Sequence, residues 1–131
     1  MSMKEKTIKQ LSVFIENKTG RINEVTRILA DNGINMTAFS LAESADFGIL
    51  RMIVSDVDKA RQALKEARFG VNTTDVVCFS CENVPGALAT VLERLAKEDI
   101  FIEYMYAFSQ GEKANVVIRP TDVARCVEVL F

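Results

Sequence analysis

A stretch of seven residues near the start of the chain recurs 66 positions later, and this repeat limits the possible folds more than any other feature. Residues 16–22 read ENKTGRI and residues 82–88 read ENVPGAL. At the same offset, the identical residues between positions 16 and 34 are the pairs Glu16/Glu82, Asn17/Asn83, Gly20/Gly86, Val25/Val91, Leu29/Leu95, Ala30/Ala96 and Ile34/Ile100. Self-similarity at a fixed offset indicates a duplicated structural module. We therefore predict two domains, residues 1–74 and residues 75–131.

The first copy predicts the order strand, helix, strand, strand, helix, strand. Alternating apolar residues indicate a strand with one buried face, and apolar residues three and four apart indicate an amphipathic helix. These patterns predict strands at residues 7–16, 34–42, 47–55 and 69–72, and helices carrying residues 22–29 and 57–67. Thr19 or Asn17 is predicted to cap the first helix, and Ser55 or Asp56 the second. This order is that of the ferredoxin-like βαββαβ unit, an α+β fold in which two helices cover one face of an antiparallel sheet.

The second copy repeats the order. We predict strands at residues 76–82, 100–108 and 114–119, a turn at residues 109–112, and helices carrying residues 88–95 and 123–130. Pro85 suits the first turn of a helix. Matches at an offset of 64, beginning with Asp58/Asp122, predict that this copy lost two residues around its hairpin. No closing strand follows the last helix, so either the native chain is longer or the long first strand compensates by pairing across the halves.

Composition excludes several classes of protein. Sixteen basic and 18 acidic residues give a net charge of -2. The chain therefore has no excess of basic residues, and a nucleic-acid partner is not predicted. The sequence contains no apolar run of 18 residues, so no membrane span is predicted. We expect a soluble, cytoplasmic protein. Cys78 and Cys81 lie on one predicted strand, where residues three apart face opposite sides. We therefore expect buried structural thiols, with no metal site and no cofactor.

The residues needed for common catalytic sites are missing. The chain has no histidine, and it contains neither a glycine-rich phosphate loop nor a nucleophile elbow, so we predict no enzymatic activity. An RNA-binding module of the same fold would need paired aromatic residues and a basic face, which are absent. A hydrolase of the acylphosphatase kind would need an arginine in the loop after the first strand. Arg21 stands there, but Ala87 replaces it in the second copy.

The repeated turn is the candidate binding site. A helix N-terminus offers backbone N–H groups and a partial positive charge, which suit a carboxylate. Gly20 and Gly86 let a ligand approach the backbone closely, and the amides of Asn17 and Asn83 can orient its polar groups. The competing interpretation is structural: the asparagines cap the turn and the glycines permit it.

These motifs resemble the ACT domain, here in tandem. The resemblance rests on the strand that ends in Glu-Asn-x-x-Gly at residues 82–86, the helix after it, Gly-Ile-Asn-Met at residues 33–36 and the following hairpin, and it covers nearly the whole chain. It implies a regulatory module of amino-acid metabolism that binds a small effector, usually an amino acid, where two ACT units meet. Carried over residue by residue, the implied ligand-binding residues are Asn17, Lys18, Thr19, Gly20, Arg21, Ile22, Asn35 and Met36, and in the second copy Asn83, Val84, Pro85, Gly86, Ala87, Leu88, Phe101 and Ile102.

The two copies differ within this set, which implies unequal sites. Asn35 matches the serine-responsive members of the family, whereas Phe101 replaces it in the second copy. Ile15 and Cys81 stand where some members carry histidine, so a larger or more apolar effector is expected. The side chains that could contact it are Met36, Phe39, Phe101, Met105 and Tyr106, and the competing role for most of them is packing in the core. The resemblance also implies a stand-alone sensor that forms a homodimer and regulates a metabolic enzyme, and the alternative is a ligand-free subunit that pairs with an amino-acid biosynthetic enzyme.

Overall fold

The computed structural model of the protein describes residues 7–44 and 46–131, which divide into two compact units. The first unit is Lys9–Thr74, and the second is Asp75–Phe131 together with residues 7 and 8. The elements in chain order are β1 (Thr7–Glu16), α1 (Arg21–Asp31), β2 (Met36–Glu43), β3 (Phe47–Val54), α2 (Val57–Glu66), β4 (Gly70–Glu82), α3 (Ala87–Lys97), β5 (Ile102–Gln110), β6 (Lys113–Pro120) and α4 (Val123–Leu130). This order confirms the predicted α+β class and the repeated ferredoxin-like arrangement.

The first unit places its strands in the order β2-β3-β1-β4. β3 pairs antiparallel with both β1 and β2, so that Leu50 lies opposite Val13 on one side and Leu41 on the other. Side chains alternate between the two faces of a strand, and the face of β1 that carries Leu11 and Val13 packs against the helices. The buried residues of this core are Leu11, Val13, Ile15, Val25, Leu29, Ile34, Leu50, Met52, Ala60, Leu64 and Phe69.

The second unit has the strand order β4-β6-β5. Its register repeats that of the first unit, since Phe79 lies opposite Val116. The buried residues of its core are Val77, Phe79, Leu95, Ile100, Val116, Ile118 and Cys126. Among the residues described, no strand follows α4.

The predicted loss of two residues from the second copy is wrong. Asp56 and Asp122, 66 positions apart, occupy the same N-cap position of α2 and α4. Ala60 and Cys126, also 66 apart, are both completely buried in their cores. The matches at an offset of 64 pair residues in different places: Asp58 lies in the first turn of α2 whereas Asp122 caps α4, and Ala60 is buried whereas Ala124 is exposed. Cap and core positions are restricted by structure, and they align at an offset of 66.

Several strand boundaries also differ from prediction: β2 and β5 each begin two residues later than predicted, at Met36 and Ile102. Residues 69–72 and 76–82 were predicted as separate strands, but β4 runs without interruption from Gly70 to Glu82. The polar segment between them contains Thr73 and Thr74, whose branched side chains suit a strand. The predicted four-residue turn at 109–112 is a two-residue hairpin loop, because Gly111 adopts a φ of 65° that lets β5 and β6 continue to its edge.

Candidate functional site

Both repeated turns begin a helix that no side chain caps. Gly20 precedes α1 with a φ of 91°, and Gly86 precedes α3 with a φ of 86°. These left-handed conformations favour glycine. The predicted capping of α1 by Thr19 or Asn17 is therefore wrong, and Pro85 lies before the N-cap rather than in the first turn of α3. The first N–H groups of α1 and α3 have no side-chain acceptor.

The other two helices have ordinary caps. The Asp56 carboxylate accepts a hydrogen bond from the backbone N–H of Lys59 at 3.1 Å, as predicted from the sequence. The Asp122 carboxylate accepts one from the backbone N–H of Arg125 at 3.0 Å. The missing cap is therefore a particular property of the repeated turns.

Asn17 ties the first turn to the β2–β3 hairpin. Its side-chain Nδ2 donates to the Ser44 carbonyl oxygen at 2.9 Å, and its backbone N–H donates to the Asp46 carbonyl oxygen at 3.4 Å. In the second copy the backbone N–H of Asn83 donates to the Glu112 carbonyl oxygen at 3.0 Å. Both asparagines therefore connect turn and hairpin through the backbone, and the Asn17 amide adds a structural bond of its own.

A cavity of about 300 Å³ opens between the first turn and this hairpin. We call it the polar cavity. Its lining residues are Ile15, Glu16, Asn17, Lys18, Thr19, Ile22, Leu41, Glu43 and Gly48. It brings together four of the predicted ligand-binding residues from the turn and α1. It also includes residues of β1 and of the hairpin that lie outside the predicted set.

Glu16, at the polar cavity, and the nearby Arg21 each form ion pairs with more than one partner. Glu16 forms ion pairs with Lys18 at 3.2 Å and with Arg21 at 3.6 Å. Arg21 also pairs with Glu24 at 2.7 Å and lies over the Phe69 ring, 4.7 Å from its centroid. The Nε atom of Arg21 is buried and has no hydrogen-bond partner in the described structure.

Glu43, which lines the same cavity, forms no ion pair with any described residue. Its carboxylate is therefore available to a cationic group of a ligand.

A second cavity, of about 310 Å³, lies beside the first between α1 and β2. We call it the apolar cavity. Its lining residues are Ile22, Thr26, Met36, Phe39, Leu41 and Leu50. Ile22 and Leu41 line both cavities, so the polar and apolar cavities are neighbours along one edge of the first unit. Phe39 and Leu41 remain 63% and 48% exposed.

Gly48 makes room where the turn, β2 and β3 meet. It is buried, and it lies opposite Ile15 on β1 and Glu43 on β2. A Cβ at this position would stand 3.3 Å from the Ala42 carbonyl oxygen and 3.3 Å from the Leu41 Cδ1 atom. A glycine inside a strand often marks a close approach, and that signal was present in the sequence.

The remaining predicted residues lie outside both cavities. Asn35 has an exposed side chain, and its backbone N–H donates to the Ser55 Oγ at 2.9 Å. In the second copy Leu88 and Ile102 pack against the core, while Phe101 is 66% exposed. The residues of the second turn, Asn83, Val84, Pro85 and Gly86, are exposed, and Ala87 is half-buried. None of the second-copy residues lines the polar or the apolar cavity.

The cysteines form no shared site. Cys78 and Cys81 both lie on β4 and are half-buried rather than buried as predicted; Cys81 packs against the second core. Cys126 is completely buried, and burial raises the pKa of its thiol to about 11. Among the described residues, no group of three or more histidine, cysteine or acidic side chains is placed to hold a metal ion. No helix in the described part of the chain is long and apolar enough to cross a bilayer.

Comparison with known proteins identifies the fold family. The family model described as ACT domain pair matches residues 6–131. The crystal structure of protein BT0572 from Bacteroides thetaiotaomicron superimposes with a TM-score of 0.92 at 60% sequence identity, over 95% of this chain and 87% of that one. A search of curated proteins found no match.

Two more distant structures share the fold. The ligand-free regulatory subunit of aspartate kinase from Thermus thermophilus superimposes with a TM-score of 0.70 at 16% identity, over 98% of this chain and 93% of that one. The corresponding subunit from Thermus flavus gives a TM-score of 0.67 at 16% identity, over 95% and 90% of the two chains.

Proposed function

Because this chain belongs to the ACT domain pair family, a family of regulatory modules, we propose that it is a non-catalytic sensor that binds a free amino acid and regulates amino-acid metabolism through a partner protein. The polar cavity at the first repeated turn is the observation that carries the proposal. Its volume of about 300 Å³ lies at the lower end of the range for small-molecule sites, about 300–1,000 Å³.

The polar cavity offers both charges that a zwitterion requires. The uncapped start of α1 presents backbone N–H groups and the positive end of the helix dipole, which attract a carboxylate. The carboxylate of Glu43 lies on the hairpin side of the same cavity and can accept the ligand's ammonium group. Lys18 and Glu16 already pair with each other, so Glu43 is the residue to which we assign ammonium binding.

The proposed partners are a second copy of the chain and a metabolic enzyme. β2 stands at the end of the strand order in the first unit, and its outer edge pairs with no described strand. An unpaired edge strand favours pairing with another chain, which supports a homodimer. Chains of the same fold are regulatory subunits of aspartate kinase in two Thermus species, which supports an enzyme of amino-acid metabolism as the regulated partner in the cytoplasm.

A thermal-shift screen against the twenty amino acids at millimolar concentration tests the proposal. A ligand that binds only the folded protein stabilises it by about 2.7 kcal/mol at a hundredfold excess over Kd, which corresponds to several degrees for a chain of this size. We expect a selective shift that Glu43→Ser reduces, since serine is the residue at the matching position 109 of the second copy. Glu103→Ser, which removes an exposed glutamate from β5, serves as the control and should leave the shift unchanged.

A flat screen with folded protein would overturn the sensor and favour the ligand-free pairing subunit. A shift that Glu43→Ser and Glu103→Ser leave equally intact would place binding away from the polar cavity. A shift lost only in Glu43→Ser would establish both the sensor and its site.

A further inference from the structure

We propose that the effector is an α-amino acid with a branched aliphatic or aromatic side chain, which enters the apolar cavity of the first unit while its ammonium and carboxylate groups occupy the polar cavity. Thr26, Phe39 and Leu41 are then the residues that select the side chain. This inference rests on the proposed function, because it names the ligand class of the same site.

The two cavities are placed to receive the two halves of such a ligand. Ile22 and Leu41 line both of them, so a molecule held in the polar cavity has the apolar cavity beside it. The polar cavity carries charged and amide groups, whereas the apolar cavity is lined by hydrocarbon side chains and Thr26. A ligand with charged groups at one end and an apolar group at the other matches a polar cavity that adjoins an apolar one.

Three of the side chains that line the apolar cavity are exposed and lie together. Phe39, Leu41 and Ile22 are 63%, 48% and 42% exposed and lie around the mouth of the apolar cavity. Contiguous exposed apolar side chains mark binding sites more often than they mark ordinary surface. An inserted aliphatic or aromatic group would remove part of this apolar surface from water, which is the main driving force for such binding.

The second unit carries different residues at positions that match those lining the apolar cavity. The matched cap positions Asp56 and Asp122 fix the equivalence of the two copies at an offset of 66. Leu92 then occupies the place of Thr26 and packs against the second core. Ala107 stands in place of Leu41. The small Thr26 of α1 is therefore replaced by the larger Leu92 on α3, and the large Leu41 of β2 is replaced by the small Ala107 on β5.

The second copy also differs at positions that match residues lining the polar cavity. Val84 and Pro85 replace Lys18 and Thr19. We infer that the second copy keeps the fold of the site without its specificity, and that one effector binds per chain.

The test transfers the second copy's residue into the first. Thr26→Leu should fill the apolar cavity, and the Thr26 hydroxyl donates only to the Asn23 carbonyl oxygen of its own helix, at 3.0 Å, so the fold should survive. Calorimetric titration with L-leucine, L-phenylalanine, L-alanine and glycine compares the wild type with this variant. We expect wild-type affinity for leucine or phenylalanine to exceed that for alanine at least tenfold. Thr26→Leu should remove most of that preference and leave alanine binding unchanged.

A second pair of variants controls for loss of the fold and of apolar surface in general. Phe39→Ala should weaken leucine or phenylalanine binding by about tenfold. Met105→Ala, at the matching position of β5, should have no effect. Both side chains are exposed, at 63% and 38%, so neither change should unfold the protein.

The outcomes separate this inference from the proposed function. If no amino acid binds the folded wild type, both fail. If glycine, serine or another small amino acid binds best and Thr26→Leu and Phe39→Ala change nothing, the sensor stands and the assigned side-chain class is wrong. If Met105→Ala weakens binding as much as Phe39→Ala does, the site is not confined to the first unit and the inference is overturned.

Discussion

Replacing Gly48 by alanine should destabilise the protein, although Gly→Ala in a strand usually does the opposite. Gly48 has an ordinary φ, so alanine at this position would not strain the backbone. Alanine restricts the unfolded chain and so gains about 0.4–1 kcal/mol. The added methyl group, however, would stand 3.3 Å from both the Ala42 carbonyl oxygen and the Leu41 Cδ1 atom.

The size of the effect follows from which neighbours can move. Leu41 is half-exposed and can change rotamer, but the Ala42 carbonyl belongs to the backbone of β2, which pairs with β3 around Gly48. Overpacking of this kind costs about 1–3 kcal/mol, so the net loss should be about 1–2 kcal/mol. With a urea dependence of about 1–3 kcal/mol per molar, the unfolding midpoint should fall by about 0.3–2 M at unchanged slope. Far-UV circular dichroism during urea titration measures this shift.

Gly70→Ala is the matched control, because Gly70 also lies in a strand of the first unit without positive φ. Its added Cβ would meet the Phe14 Cδ2 atom at 3.5 Å, an ordinary contact distance. This variant should be as stable as the wild type or more stable by up to about 1 kcal/mol. If Gly48→Ala and Gly70→Ala shift the midpoint in the same direction, the close packing inferred around Gly48 is refuted.

Two further predictions concern the helices. Asp56→Ala and Asp122→Ala should each lower the free energy of unfolding, measured by urea titration, by about 1 kcal/mol. The reason is that the two carboxylates accept equivalent hydrogen bonds from the backbone N–H groups of Lys59 and Arg125. Losses that differ by more than about 1 kcal/mol would contradict this equivalence. Burial raises the pKa of Cys126 from its ordinary 9.0 to about 11, so between these pH values the unfolded chain loses a proton that the folded protein keeps. Stability should therefore fall by about 2–3 kcal/mol as pH rises from 9 to 11. The urea midpoint of Cys126→Ala should fall less over this interval, and equal slopes in the two proteins would refute the shift.

The fold could be predicted from the sequence because the information is local and repeated. The alternation around Leu11 and Val13 and the helical spacing from Ile22 to Leu29 each occur again 66 positions later. Each pattern specifies one element, and the duplication confirms the element order. Strand boundaries could not be predicted where local preference was weak, as in the polar centre of β4. The offset of 64 in the last helix was wrong because identities such as Ala60/Ala124 pair a buried residue with an exposed one and so do not mark equivalent positions.

The candidate site was predicted only in part because its shape depends on distant pairing. The turn residues Asn17, Lys18 and Thr19 could be selected from the motif. The hairpin residues Glu43 and Gly48 reach the turn only through the register in which Gly48 lies opposite Ile15, and no local pattern encodes that register. The structural use of the Asn17 amide is likewise a contact with Ser44, 27 positions away.

The comparison between the two copies separates what the fold needs from what a ligand needs. Gly20 and Gly86 take the same left-handed conformation before an uncapped helix, so the turn geometry is required in both copies whatever they bind. Thr26 and Leu92 occupy the same place on equivalent helices, but Thr26 lines the apolar cavity whereas Leu92 packs against the second core. In the function that we propose, the polar end of the ligand lies at the first turn, and the side chains that face it from α1 and β2 discriminate between effectors. A change of effector would then need only substitutions at exposed positions such as Phe39, where the cost to stability is small.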